Sequence, residues 1–407
     1  MPMFASGLAQ GLPDAQGAER ANVSRILYVA TSDIHLKTFH VPYLEWLAAE
    51  GHTVDIAAER RGGLSFACVH RAYWLPFPRT LAPVQLYRTF RQLRKIVESG
   101  HYDLVHCHTP IPSALTRLAG RGTRKRGGAI LYTAHGFHFF RGAPWYYWLG
   151  AFPVECWLSR HADGIVTINR EDYRYAQELL RCPRSYRIPG IGVDTHRFQP
   201  VSKARRAELR HEFGFADDDF LLLYIAEFIP RKNHAFIVKA ARDLFDRVPT
   251  AKLVFLGTGR LWADTRVAVA RMGLSERILF PGFRWDVECF AAMSDVAISS
   301  SRQEGLGFGL AEPMACGVPV VATMDRGHRE LVEEGITGFL YPQHDAARFV
   351  DRVAQLYEDP ALRASMSRNS LAKAQEFRIE VSLAAMANVY RDLLGPRVAK
   401  MDGSIPA

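Results

Sequence analysis

Short, unbroken apolar runs recur along this chain, separated by stretches of helix length with apolar residues three and four apart. Runs at 25–30 (Arg-Ile-Leu-Tyr-Val-Ala), 53–58, 103–106 and 129–133 make a first set. Runs at 220–226, 251–256, 277–280, 296–298 and 318–322 make a second. Runs this short, without polar alternation, predict strands buried on both faces, as in parallel sheets. Between them, 42–50 predicts a helix stopped by Gly51, 233–246 another, and 345–394 a helical tail region. Residues 31–35 read as the loop after the first strand. Alternation of this kind predicts an α/β class with two Rossmann-like domains, residues 25–200 and 201–375, between a disordered tail at 1–24 and a frayed one at 396–407.

The second set frames the most informative stretch. Between the strands at 296–298 and 318–322 lies Glu304-Gly305-Leu306-Gly307-Phe308-Gly309, followed by a short helix ended by Gly317. Ligands of open α/β sheets bind at the carboxyl ends of strands, where this loop falls. Its glycines let backbone N–H groups approach a ligand, and the helix aims its positive end at the same place. Glu304 and Glu312 would repel a phosphate, so they are expected to face hydroxyls. A diphosphate between hydroxyl-rich groups, that is a nucleotide sugar, meets both demands. The plainer alternative is a tight turn with two solvated glutamates; the flanking strands weigh against it.

Glu304 and Glu312, with Glu312-Pro313-Met314-Ala315-Cys316-Gly317-Val318-Pro319-Val320-Val321 behind, resemble the E-x7-E signature of glycosyltransferase family 4. The likeness runs from Arg25 to about residue 395, and Ser32-Asp33-Ile34-His35 with Phe39-His40 resembles its exopolysaccharide and capsule subgroup. The resemblance implies the GT-B fold, two Rossmann-like domains facing across a cleft, with a last helix (376–395) crossing back to the first. It implies transfer with net retention from a nucleotide-sugar donor, expected to be a UDP-sugar, to a growing saccharide. Glu312 would hold the ribose hydroxyls, and Glu304 the donor sugar. Gly305, Leu306, Gly307 and Phe308 would meet the leaving diphosphate, and Gly282 and Phe283 the nucleobase.

Three departures matter. Pro313 stands where the family has Ala; since proline is tolerated in a helix's first turn and costly further in, either the helix starts close to residue 310 or its turn is distorted. The first loop lacks the family's Gly-Gly pair. Ala226-Glu227 replaces the usual Gly-Arg, leaving Lys232 as the expected diphosphate cation, with Arg231 a substitute of unknown direction.

In the first half, His135, at a strand end before Gly136, matches the family histidine that touches the donor sugar; His138 is the weaker candidate. His106-Cys107-His108 suggests metal, but alternate strand residues share a face and no nearby cluster completes a site. No Asp-x-Asp pattern is evident, so no cofactor and no essential divalent metal are expected. The aromatics of 143–158 (Trp145, Tyr146, Tyr147, Trp148, Phe152, Trp157) could pack in the core or sit at a membrane interface; core packing is expected for most. Pro189-Gly190-Ile191-Gly192-Val193-Asp194 closes the first domain in the family's manner.

Composition narrows the class. At 407 residues and 48% apolar content the chain can build two cores. It holds no run of about 18 apolar residues of the kind that spans a bilayer. Six scattered cysteines without a C-x-x-C pair fit a reducing cytoplasm. The net charge of +9 lies wholly in the first half: 24 Lys+Arg against 15 Asp+Glu over 1–200, and 27 against 27 over 201–407. Arg88, Arg91, Arg94 and Lys95, then Arg117, Arg121, Arg124, Lys125 and Arg126, form two basic clusters. Nothing resembles a base-reading module, so nucleic acid is not the expected partner. An anionic membrane surface is, with a cytoplasmic, peripheral location at its inner face and a polyprenyl-diphosphate-linked saccharide acceptor. A nucleotide-sugar 2-epimerase and a non-catalytic partner subunit share the architecture and stay open.

Overall fold

The computed structural model describes residues 23–78 and 82–395. The expected tails thus lie outside the described residues, except for Val23 and Ser24. Two parallel sheets form the frame. The first takes β1 (Arg25–Ser32), β2 (Thr53–Glu59), β3 (Arg71–Trp74), β4 (Leu104–His108), β5 (Ala129–Ala134), β6 (Gly164–Thr167) and β7 (Ser185–Arg187), in the order 3-2-1-4-5-6-7. The second takes β8 (Phe220–Ile225), β9 (Ala251–Leu256), β10 (Ile278–Gly282), β11 (Val296–Ser299), β12 (Val320–Thr323) and β13 (Gly338–Tyr341), in the order 10-9-8-11-12-13. Each order reverses once, between β1 and β4 and between β8 and β11, which is where open α/β sheets hold ligands. The unbroken apolar runs follow from this topology, because the central strands are buried on both faces.

The last helix, Ile379–Leu394, returns to the first sheet as expected. Tyr390 stacks on Trp46 at 5.9 Å between ring centres and bonds His106 Nδ1 through its hydroxyl (2.8 Å). The chain crosses between domains as two adjoining strands: the Val193 amide donates to the Phe377 carbonyl (2.8 Å) and the Ile379 amide to that of Val193 (2.9 Å). At this crossing Gly190 adopts φ +85°, and a Cβ there would lie 2.5 Å from Leu306. The glycine-rich segment is a close approach as well as a turn.

Several expectations change. Residues 33–35 are not loop: helix Asp33–Phe39 starts directly after β1, capped by the Ser32 hydroxyl. The Asp33 carboxylate fixes it by accepting the amides of Arg61 (2.9 Å), Gly62 (3.0 Å) and Leu64 (3.1 Å). The helix after the glycine loop begins at Phe308, not near 310, and encloses Pro313. Pro313 cannot bond the Gly309 carbonyl. The helix persists because Leu310, Ala311, Met314 and Ala315 are buried beneath it. Trp145, Tyr146 and Trp157 are exposed rather than packed in the core, with Leu149 and Val154 beside them in sequence. Trp148 and Phe152 do pack, against Phe139. Arg117 leaves the basic surface: it is fully buried, ion-paired with Glu155 (2.5 Å) and set over the Tyr132 ring.

Candidate functional site

The second sheet's switch point gathers a tight ionic cluster. The loop after β8 is stapled to the loop after β11: the Arg302 amide donates to the Arg231 carbonyl (2.8 Å), and the Ser300 hydroxyl to that of Asn233 (2.9 Å). Asn233 takes the left-handed conformation (φ 55°) that lets the loop turn into the helix His234–Arg247. This geometry directs two cations at one carboxylate. The Lys232 ammonium pairs with Glu304 Oε1, and the Arg231 guanidinium reaches Glu304 Oε2 (3.2 Å) and the Gln303 carbonyl (2.7 Å). Burial works to raise the Glu304 carboxyl, but Lys232 and then Arg231 overcome it and hold it at about 2. Arg231 therefore does point into the site.

A small cavity of about 10 Å³ lies here, lined by Lys232, Glu304, Gly307, Gly309, Ser299 and His328, among others. His328 was not read from the sequence. Its Nδ1 bonds the Thr323 carbonyl (2.8 Å), its buried Nε2 has no partner among the described residues, and its ring abuts Gly307. The available signal was its place just after β12, the next strand of the sheet. Gly307 itself has φ +104°, which glycine alone adopts without strain.

The first domain closes on this loop. A Cβ on Gly305 would lie 2.0 Å from the His135 carbonyl oxygen, so only glycine fits. Asn169 Nδ2 donates to the Gly305 carbonyl (2.9 Å), and Gln303 Nε2 to that of Phe137 (2.8 Å). Arg326, beside His328, pairs with Asp172 of the first domain (2.8 Å) and donates to the carbonyls of Glu304 and Phe137. Asp325 accepts the Glu304 amide (3.0 Å). These crossing residues carry no motif that sequence could show.

His135 meets the loop through its backbone. Its ring joins His35, His40, His106 and His108 at the first sheet's switch point, where His108 Nδ1 lies 3.2 Å from His135 Nε2. Burial holds His135 and His106 at about 3 and His35 at about 4, so the cluster is neutral near pH 7. Cys107 turns to the opposite face, donating to the Leu131 carbonyl, so the His106-Cys107-His108 set is not one site. His138 stands apart from that cluster, next to the Tyr147 ring.

Leu306 is buried against Gly190, and Phe308 lies 6.2 Å from Phe39 across the cleft. Glu312, Gly282 and Phe283 do not line the cavity. Glu312 is half-buried, and among the described residues no hydrogen bond or ion pair holds its carboxylate. Burial raises it to about 7, against the pull of Arg197. Phe283 is exposed and meets Trp285 edge to face at 5.0 Å.

Comparison with known proteins bears on this site. Residues 205–373 match the family described as "Glycosyl transferases group 1", and residues 43–197 the one described as "Glycosyltransferase Family 4". A Bacillus subtilis (strain 168) protein named "Putative glycosyltransferase EpsD" is 40% identical over 367 residues, covering 90% of this chain and 96% of that protein. An Escherichia coli "UDP-Gal:alpha-D-GlcNAc-diphosphoundecaprenol alpha-1,3-galactosyltransferase" is 25% identical over 338 residues, covering 80% and 84%. Among solved structures, Anabaena Alr3699/HepE in complex with UDP and glucose superposes with a TM-score of 0.74 at 20% identity, over 91% of this chain and 100% of that one. Sucrose-phosphate synthase from Thermosynechococcus elongatus gives 0.75 at 21% identity, over 91% and 99%.

Proposed function

Since the chain belongs to glycosyltransferase family 4 and is a hexosyltransferase of the GT-B fold, we propose that it moves a sugar, with net retention, from a UDP-sugar to a lipid-linked saccharide during assembly of a cell-surface polysaccharide. The observation that carries this reading is the convergence of Lys232 and Arg231 on Glu304 beneath the Gly305–Gly309 loop. Two cations beside backbone N–H groups suit a leaving diphosphate, whose developing charge they would stabilise. Glu304 would then exchange its cation contacts for a hydroxyl of the donor sugar. His135 would contact the same sugar, Glu312 the ribose, and Gly282 with Phe283 the base. Donor binding falls to residues 201–375 and the acceptor to 25–200. The chemistry so described calls on no divalent ion.

The acceptor end draws on the first domain's surface. On helix Pro83–Ser99, Val84, Tyr87, Arg88, Arg91 and Lys95 share one exposed face. Trp145, Tyr146 and Leu149 are exposed on Trp145–Leu149. Basic side chains with aromatic neighbours suit an anionic membrane surface, which would present a polyprenyl-diphosphate-linked acceptor. A relative named for a diphosphoundecaprenol-linked substrate supports that choice. Among the described residues no helix is long and apolar enough to cross a membrane.

The test is turnover by the purified protein with a panel of UDP-sugars, each with and without a polyprenyl-diphosphate-linked saccharide. Consumption that needs the acceptor, giving a product with the donor's anomeric configuration, is expected. Isomerisation of the donor alone would favour the 2-epimerase. No consumption under any condition would favour a non-catalytic subunit.

A further inference from the structure

The histidines at the first sheet's switch point do more than the transfer reading asks of them. His35 and His40 come from the helix after β1 and its C-cap, and His135 from the end of β5. His135 lies far along the sequence from the other two, yet one ligand nitrogen from each of the three sits within 4.8 Å of the others. We propose that His35, His40 and His135 form a binding site for a divalent transition metal of the zinc type, open toward the cleft, and that occupying it withdraws His135 from the donor sugar.

The geometry supports a three-imidazole site. His40 Nε2 and His35 Nε2 are 3.2 Å apart. Two nitrogens bound tetrahedrally to zinc at about 2.0–2.1 Å stand about 3.3–3.4 Å apart. That edge is already in place, and the third nitrogen has only to close from within 4.8 Å. Two of the three ligands have a hydrogen-bond partner that fixes the ring, the role outer partners play for metal-bound histidines. His40 Nδ1 lies 2.9 Å from the Tyr28 hydroxyl, so an Nδ1–H donating there leaves Nε2 free for metal. His135 is steadied by His108 at 3.2 Å. His40 is buried at the floor, whereas His35 and His135 are partly exposed, so an ion can enter from the cleft and keep a fourth position for water. The cluster contains no carboxylate. Imidazole suits zinc, copper and nickel; magnesium and calcium take oxygen ligands.

The functional consequence rests on the donor reading of His135. Its carbonyl abuts Gly305, so the residue sits at the seam between the domains. A ring committed to a metal has no free nitrogen on the cleft side for a sugar hydroxyl. Metal binding and donor turnover would therefore oppose each other at one side chain.

The experiment uses the full chain after treatment with a chelator. Zn²⁺ is titrated in competition with a chromophoric chelator, and Co²⁺ is used to record the ligand-field spectrum. One equivalent bound, with the intense visible bands of four-coordinate Co²⁺, is expected. His35→Gln removes a partly exposed ligand and should weaken binding at least tenfold; His40→Gln, with Tyr28 still in place, is the second variant. In turnover assays Zn²⁺ should inhibit the wild type and Mg²⁺ should not, while His35→Gln retains activity and tolerates Zn²⁺. Absence of stoichiometric binding, or equal affinity in the variants, would show a hydrogen-bonded histidine network only and overturn the site. Binding without inhibition would overturn its link to His135. A wild type that turns over no donor even without metal counts against the transferase reading, and the titration still decides the site.

Discussion

Arg326 and Asp172 meet at 2.8 Å across the interdomain cleft, both almost fully buried. The pair joins the loop after β12 to the helix Arg170–Glu178. Through Arg326 it also fixes the backbone of Glu304 and Phe137. Burial raises the Asp172 carboxyl to about 6 even though Arg326 opposes the shift, so the pair is held in a poorly solvated place.

Removing one partner of a buried pair strands the other. Arg326→Ala is expected to cost roughly 3–5 kcal/mol and to loosen the cleft; Asp172→Asn keeps the shape and the bonds that one oxygen accepts from Phe137 and Asn169, but turns an NH2 group toward Arg326 and should destabilise as well. Urea unfolding measures the first effect, and small-angle scattering the second. Equal, negligible losses in both variants would mean that the cleft is held elsewhere.

The three-way contact of Glu304 with Lys232 and Arg231 predicts a kinetic split. Lys232→Ala should lower kcat more than it raises the donor KM, because its charge matters most as the diphosphate leaves. Arg231 is the more exposed of the two, and its loss should be milder. A silent Lys232→Ala beside a damaging Arg231→Ala would reverse the assignment.

Sequence carried the architecture because central strands of parallel sheets must be apolar throughout, and it carried the loop because glycines and acids punctuate it. It missed β3, β6, β7 and β13, whose short or exposed strands give no long apolar run. Helix Asp33–Phe39 was hidden because polar residues that read as loop are its N-cap and first turn. The start at Phe308 was misjudged because packing beneath the helix outweighs the bond lost at Pro313. Arg231's direction, the Arg326–Asp172 pair and the histidine cluster arise from contacts between distant segments, which local pattern does not encode.

Glu312 makes a pH prediction with a definite sign. Its carboxyl is raised from 4.5 to about 7, so between those values the folded protein binds the extra proton and the free protein loses stability as pH rises. Ribose hydroxyls donating to the carboxylate favour the charged form. Donor affinity should therefore increase from pH 6 to 8, by up to tenfold per unit below the free pKa. Glu312→Gln should flatten that profile, weaken donor binding at pH 8, and stabilise the donor-free protein there. Calorimetric titration with UDP at several pH values decides it; the same slope in the variant would remove Glu312 from the ribose site.

The membrane prediction must be aimed at residues whose charge is free to act. Arg124 is committed to Asp163 (2.9 Å), and Arg126 reaches the Glu98 carbonyl. Arg88, Arg91 and Lys95 have no ion pair among the described residues and share a face with Tyr87 and Val84. Each basic residue at an anionic surface contributes about 1 kcal/mol. Reversing all three to Glu should thus reduce binding to vesicles containing anionic lipid by about two orders of magnitude or more, leaving UDP affinity unchanged because the donor loop is on the other domain. High salt should release the wild type as screening shortens the reach of exposed charge. Trp145→Ala should act differently, weakening the salt-resistant part of the binding, since an aromatic ring at the interface does not depend on lipid charge. Equal binding of the triple variant and the wild type to anionic vesicles would exclude this helix face as the contact.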